Sequence, residues 1–100
     1  MPRPTKRPDL LAAVRTALKD SSYILTDHAR QRLKERDIIL PELLHALETG
    51  HHEKTKDEFV EHFQAWNYAI RGKTLEGRQL RVAVAFDPNL MVITVIDLDA

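Results

Sequence analysis

The apolar residues of this chain keep one spacing before Gly50 and another after it. Before it they recur every three to four positions, the helical period. After it they alternate, the strand period. Helices must therefore come first and a sheet second, which predicts an α+β domain with the helices on one sheet face. Leu10, Leu11, Val14, Ala17 and Leu18 form the stripe of a first helix, running from Pro8 or Asp9 to about Lys19. A second helix starts with Thr26 or Asp27 as N-cap and carries a narrow stripe of Leu25, Ala29 and Leu33. A third opens at Pro41 and stops before Gly50, burying Leu40, Leu43, Leu44 and Leu47.

In the second half, Trp66, Tyr68, Ile70, Leu80, Val82, Val84 and Phe86 share one face of two alternating strands. Asn67, Ala69, Arg71, Arg81, Ala83 and Ala85 take the other. Turns are expected at 75–77 and 87–89. Residues 90–98 are apolar on both faces, which suits a central strand. A weaker first strand is expected within 51–60. The reading is two or three N-terminal helices packed on one face of a three- to four-stranded antiparallel β-meander. Residues 1–7, rich in proline, are expected as a disordered arm, and 8–100 as a single domain.

The formal net charge is zero, which hides an uneven distribution. Residues 1–36 hold nine Lys/Arg and four Asp/Glu, for +5; residues 37–100 hold six and eleven, for −5. A basic patch can therefore coexist with a neutral sum. The absence of cysteine removes disulfide and thiolate chemistry and fits a reducing, cytoplasmic setting. No apolar run approaches a membrane span. The first ten residues lack the apolar centre of a signal peptide.

Two clusters carry candidate chemistry. His28, Arg32 and Arg36 stand four residues apart, so one helix edge presents an imidazole and two guanidinium groups. These can pair with nearby carboxylates, or can clamp a phosphate while His28 moves a proton. On the sheet, Asn67, Arg71 and Arg81 rim a shallow floor of alanines, which is either an ordinary solvated face or an anion-binding one. Lys54 and Lys56 would share one strand face if their segment is extended. His45, His51, His52, His62 and Glu53 are metal-donor types without a recognised ligand spacing, so no metal or cofactor is expected. Only three glycines exist and none cluster, so phosphate-loop and dinucleotide motifs are absent. A metal-free set of His, Lys, Arg, Tyr and Asn permits RNA cleavage, because RNA supplies its own 2′-hydroxyl nucleophile.

The stretch DHARQRLKERDI, with its His-x3-Arg-x3-Arg row, resembles a bacterial family of small domains in which such helices precede a β-meander. The later stretch, KTKDEFVEHFQAWNYAIRG through VIDL, is similar in layout to the MqsR-type mRNA interferases of the RelE/ParE toxin superfamily. The resemblance spans roughly Thr26 to Leu98. It implies a toxin-like endoribonuclease acting on mRNA, ribosome-bound or free, and restrained by a protein antitoxin. It also implies a cleavage site of a strand lysine, a glutamine and a tyrosine, which fall on Lys56 (or Lys54), Gln64 and Tyr68, with Arg81 supporting the phosphate. The acid-rich run from Glu53 to Glu61 opposes RNA at that strand. A rival expectation is a protein-binding module that adds a partner strand to an exposed edge at 53–60.

Overall fold

The structure, a computed structural model, describes residues 2–99. Helix α1 spans Leu10–Lys19, strand β1 Tyr23–Leu25, helix α2 Asp27–Glu35 and helix α3 Leu40–Thr49. Strand β2 is His51–His52, followed by a 3-10 turn at Lys54–Lys56 and strand β3, Glu58–Val60. The long strands are β4 (Ala65–Lys73), β5 (Gln79–Phe86) and β6 (Leu90–Asp97). The domain is α+β, as expected, and β4, β5 and β6 form the antiparallel meander.

The rest of the sheet corrects the expectation of three or four antiparallel strands. It has six strands in the order β1-β6-β5-β4-β2, with β3 also on β4. It is mixed, because β1 runs parallel to β6. Three residues are too short to show a period, so Tyr23–Leu25 reads as a link between helices. The expected edge strand at 53–60 is broken by the 3-10 turn, leaving β2 and β3 with two and three residues. Edges this short offer little for strand addition.

The helical boundaries follow local chemistry. Thr26 caps α2 by accepting from the Ala29 N–H at 3.1 Å. Its own hydroxyl donates to the Ile93 carbonyl at 2.9 Å, and its N–H donates to the Val92 carbonyl at 3.0 Å, so the cap also fixes α2 to β6. Pro41 stands in the first turn of α3. Leu43 and Leu47 of α3 meet Ile70, Leu80, Val82 and Val84 in a fully buried core, which α1 closes with Leu10 and Val14. Gly72 lets α3 approach β4 closely: a Cβ there would collide with the Ala46 carbonyl.

A β-bulge lies between Ala83 and Val84, where Ala83 faces Thr94 and Val84 faces Val92. Ile93 is the extra residue. It shifts the alternation of β6, so Val92 and Val95 both reach the core and Thr94 turns to the opposite face. The open face of β6 nevertheless keeps Met91, Ile93 and Ile96, so residues 90–98 are apolar on both faces.

Residues 2–7, the segment expected as a disordered arm, carry no helix or strand and run against the helix-side sheet face beyond the helices. Trp66 Nε1 donates to the Pro4 carbonyl at 2.8 Å, and the Arg7 N–H donates to the Tyr68 hydroxyl at 2.8 Å. Lys6 lies 4.5 Å from the Trp66 ring centroid. The arm thus covers Trp66, which the helices were expected to cover.

Candidate functional site: the open face of the sheet

Alternation along β4 and β5 sends the bulky side chains to the helices and the arm and puts small and charged ones on the other, more open face. On that open face Ala69 stands opposite Ala83, Arg71 opposite Arg81, and Thr94 opposite Ala83 from the far side. The result is a floor of methyl groups with cations at one end. The arginines do not stand alone. Arg81 Nε donates to Glu53 Oε1 at 2.6 Å, and Arg71 Nη1 lies 3.5 Å from Glu53 Oε2. Arg71 also donates to Gln79 Oε1 at 2.6 Å. Two guanidinium groups share one carboxylate, so the cluster keeps one uncompensated positive charge.

The Arg81 hydrogen bond, aided by the charges of Arg81 and Arg71, holds the Glu53 carboxyl below its ordinary range against the opposing push of burial. Glu53 is therefore a fixed anion at neutral pH. Its position depends on Asp57, whose side chain is fully buried. Asp57 accepts from the Ala69 N–H at 2.8 Å, meets His52 Nε2 at 2.8 Å and pairs with Lys6 at 3.0 Å. These bonds clamp the 3-10 turn to β4, and the Glu53 N–H donates to the Ala69 carbonyl at 2.8 Å. Glu53 is held over the meander by a buried carboxylate four positions further on.

Helix α2 brings the other half. It begins at Val92 and Ile93 through Thr26, and its end is held by Arg78, which donates to the Arg36 carbonyl at 2.6 Å and reaches Asp97 at 3.5 Å. The helix therefore runs alongside β6 where β1 no longer covers the edge. Ala29 and Leu33 face the core, so the His28–Arg32–Arg36 row follows the margin of the open face. His28 Nε2 sits 3.0 Å from Thr94 Oγ1, on that face. With strands about 4.8 Å apart, Thr94 stands one strand from Ala83 and two from Ala69.

The expected site residues divide accordingly. Arg71, Arg81, Asn67 and His28 come to the one open face. Arg32 stands beside them on α2, 3.8 Å from Glu35, and Arg36 is exposed past the helix end. Tyr68 does not join them: it is buried on the helix side, edge-on to His52 at 5.7 Å between centroids. Lys54 and Lys56 lie in the 3-10 turn rather than on one extended strand face. Gln64 lies in the β3–β4 turn with a φ of 49°, its amide donating to the Glu61 carbonyl at 2.8 Å. The histidines are spread over α3 (His45), the two ends of β2 (His51, His52) and the β3–β4 turn (His62). Sequence reasoning missed Asp57 and Thr94, and it read Glu53 only as a metal-donor type and as part of an acid-rich run that repels RNA, not as the partner of two arginines.

The molecule is thus a two-layer α+β domain with one sheet face covered by helices and the other bearing the Glu53–Arg71–Arg81 cluster, with His28 at its α2 margin. The chain belongs to the family described as Domain of unknown function (DUF4258), whose model matches residues 25–97. That span starts at the end of β1 and ends with β6, so it contains α2 and the whole open face and leaves out α1 and the arm. No curated protein and no solved structure matches the chain. No helix among the described residues is long and apolar enough to cross a membrane.

Proposed function

We propose that this domain is a metal-independent endoribonuclease of the toxin type, cleaving mRNA on the open face of its sheet and restrained by a protein antitoxin. The observation that supports it is the pairing of Arg71 and Arg81 over a single carboxylate on the face that also receives His28. A phosphate diester approaching that face meets two guanidinium groups with one charge to spare. The 2′-oxygen bonds to phosphorus and the bond to the 5′-oxygen breaks, giving a 2′,3′-cyclic phosphate and a 5′-hydroxyl end. Glu53 takes the 2′-hydroxyl proton and His28 supplies one to the departing 5′-oxygen. Arg71 and Arg81 stabilise the charge that builds on the phosphate oxygens. Beside the arginines the partly exposed Ala83 presents only a methyl group to the ribose.

The test is incubation of the purified chain with single-stranded mRNA in excess chelator, with product ends analysed. Cleavage to cyclic-phosphate ends is expected, and induced expression should slow growth. The double change Arg71→Ala with Arg81→Ala should abolish cleavage and leave the far-UV circular dichroism spectrum intact. No cleavage, together with unaffected growth, overturns the proposal.

A further inference from the structure

One apolar feature of the open face has no part in the chemistry above. The β3–β4 turn puts Phe63 into solvent, where the residue is 74% exposed. The left-handed backbone at Gln64 (φ 49°) and the Gln64 side-chain bond to the Glu61 carbonyl hold the turn in this form. Phe63 forms one wall of a groove of about 370 Å³, with Ala65, Ala85, Met91 and Ile93 as floor and far wall. That volume lies in the range of small-ligand sites. Asn67 sits in the same groove and offers an amide with both donors and an acceptor.

Position decides what occupies it. Asn67 in the groove and Arg71 of the arginine pair stand on the same face of β4, four residues or about 13 Å apart. An occupant that is flat and apolar on its faces, polar at its edge and tethered to an anion fits both ends at once. Asp87 lines the groove away from the arginines and repels phosphate there.

Resting on the proposed RNA-cleaving role of this face, we infer that the groove is a stacking subsite for one unpaired nucleobase of single-stranded RNA. The base lies against the Phe63 ring, its edge meets the Asn67 amide, and its backbone passes to the arginine pair. Bases within a duplex are already stacked and cannot enter, so the subsite selects single strands.

The experiment is fluorescence-anisotropy binding of the full chain, in chelator, to three probes. These are a short single-stranded RNA made uncleavable by 2′-O-methyl substitution at each sugar, the same strand with one abasic position, and its duplex. Phe63→Ala should weaken single-strand binding about tenfold, the worth of one stacked base, while Phe63→Tyr restores it. Because Phe63 carries no charge, the salt dependence of binding should be unchanged in Phe63→Ala. It should be shallower in Arg71→Ala with Arg81→Ala. The intact strand should bind better than the abasic strand and the duplex. If Phe63→Ala binds as the unaltered chain does while the arginine variant binds weakly, the stacking subsite is overturned and the RNA-cleaving reading stands. If the unaltered chain binds none of the probes, both fall. Concentration-dependent self-association in sedimentation, lost in Phe63→Ala, assigns the groove to a second copy and overturns the inference.

Discussion

The two faces of the sheet come from the same strands and differ in almost every physical respect. Toward the helices, β4 and β5 present Ile70, Leu80, Val82 and Val84, none more than 1% exposed. On the opposite face the same strands carry Ala69, Ala83, Arg71 and Arg81 in cross-strand pairs, with Ala69 buried and the other three partly exposed. One face gains its stability from removing apolar area from water; the other holds its charges by mutual pairing and leaves them accessible. A slip of one residue in register would exchange the two sets and destroy both. The bulge at Ala83/Val84 shows how strictly the separation is kept: it turns Thr94 outward to meet His28 and returns Val95 to the core. The lesson is that apolar burial and charge pairing are separable here, face by face.

That separation can be broken experimentally. The largest effect is expected from His28→Ala. It should lower cleavage by about 10²–10⁴, the usual worth of a proton-transferring group, and change unfolding free energy by less than about 1 kcal/mol. Added imidazole should restore part of the rate. An unaltered rate removes His28 from the mechanism. Next comes Leu80→Ala on the covered face, expected to cost about 2–5 kcal/mol in urea unfolding. Ala83→Ser, on the same strand but the open face, should stay within about 0.5 kcal/mol. Equal costs would show that the two faces are not separable.

A smaller effect is expected where the faces meet. Asp57→Asn keeps an acceptor for the Ala69 N–H but loses the charge that Lys6 and His52 face. It should cost about 1–3 kcal/mol and also slow cleavage, because the turn that carries Glu53 loosens. A stability loss without any change in rate would show that Asp57 does not position Glu53. The smallest effect concerns Glu53 itself. Its carboxyl lies below the ordinary value of 4.5 in the folded chain. The stability it contributes is complete above 4.5 and is lost as pH falls through the lower folded value. The stability difference between the unaltered chain and Glu53→Gln should therefore be flat from neutrality down to about 4.5 and shrink as pH falls from there through the lower folded value. A difference that persists unchanged in strong acid breaks the ion-pair account.

Much of the fold was legible beforehand because its signals are local. The stripes of α1 and α3, Thr26 as N-cap, Pro41 in the first turn of α3, the turn at 87–89 and the two-faced alternation of β4 and β5 follow from neighbours within a few residues. What stayed hidden lacked a local signal. Tyr23–Leu25 became a strand only because β6 lay beside it, and His51–Val60 broke into β2, a 3-10 turn and β3 around the buried Asp57.

The candidate site divides in the same way. Arg71, Arg81, Asn67, Ala69 and Ala83 were assigned to one face by alternation alone, and His28, Arg32 and Arg36 to one helix edge by the helical repeat. Their meeting was decided elsewhere: by the course of α2 along β6, by the bulge that turns Thr94 outward, and by Asp57, which sets Glu53 between two arginines. The physical reason is range. Which way a side chain points is fixed by the backbone repeat within a few residues of it. Which charges become neighbours depends on register between strands far apart in the chain, and that register exists only once the core has closed.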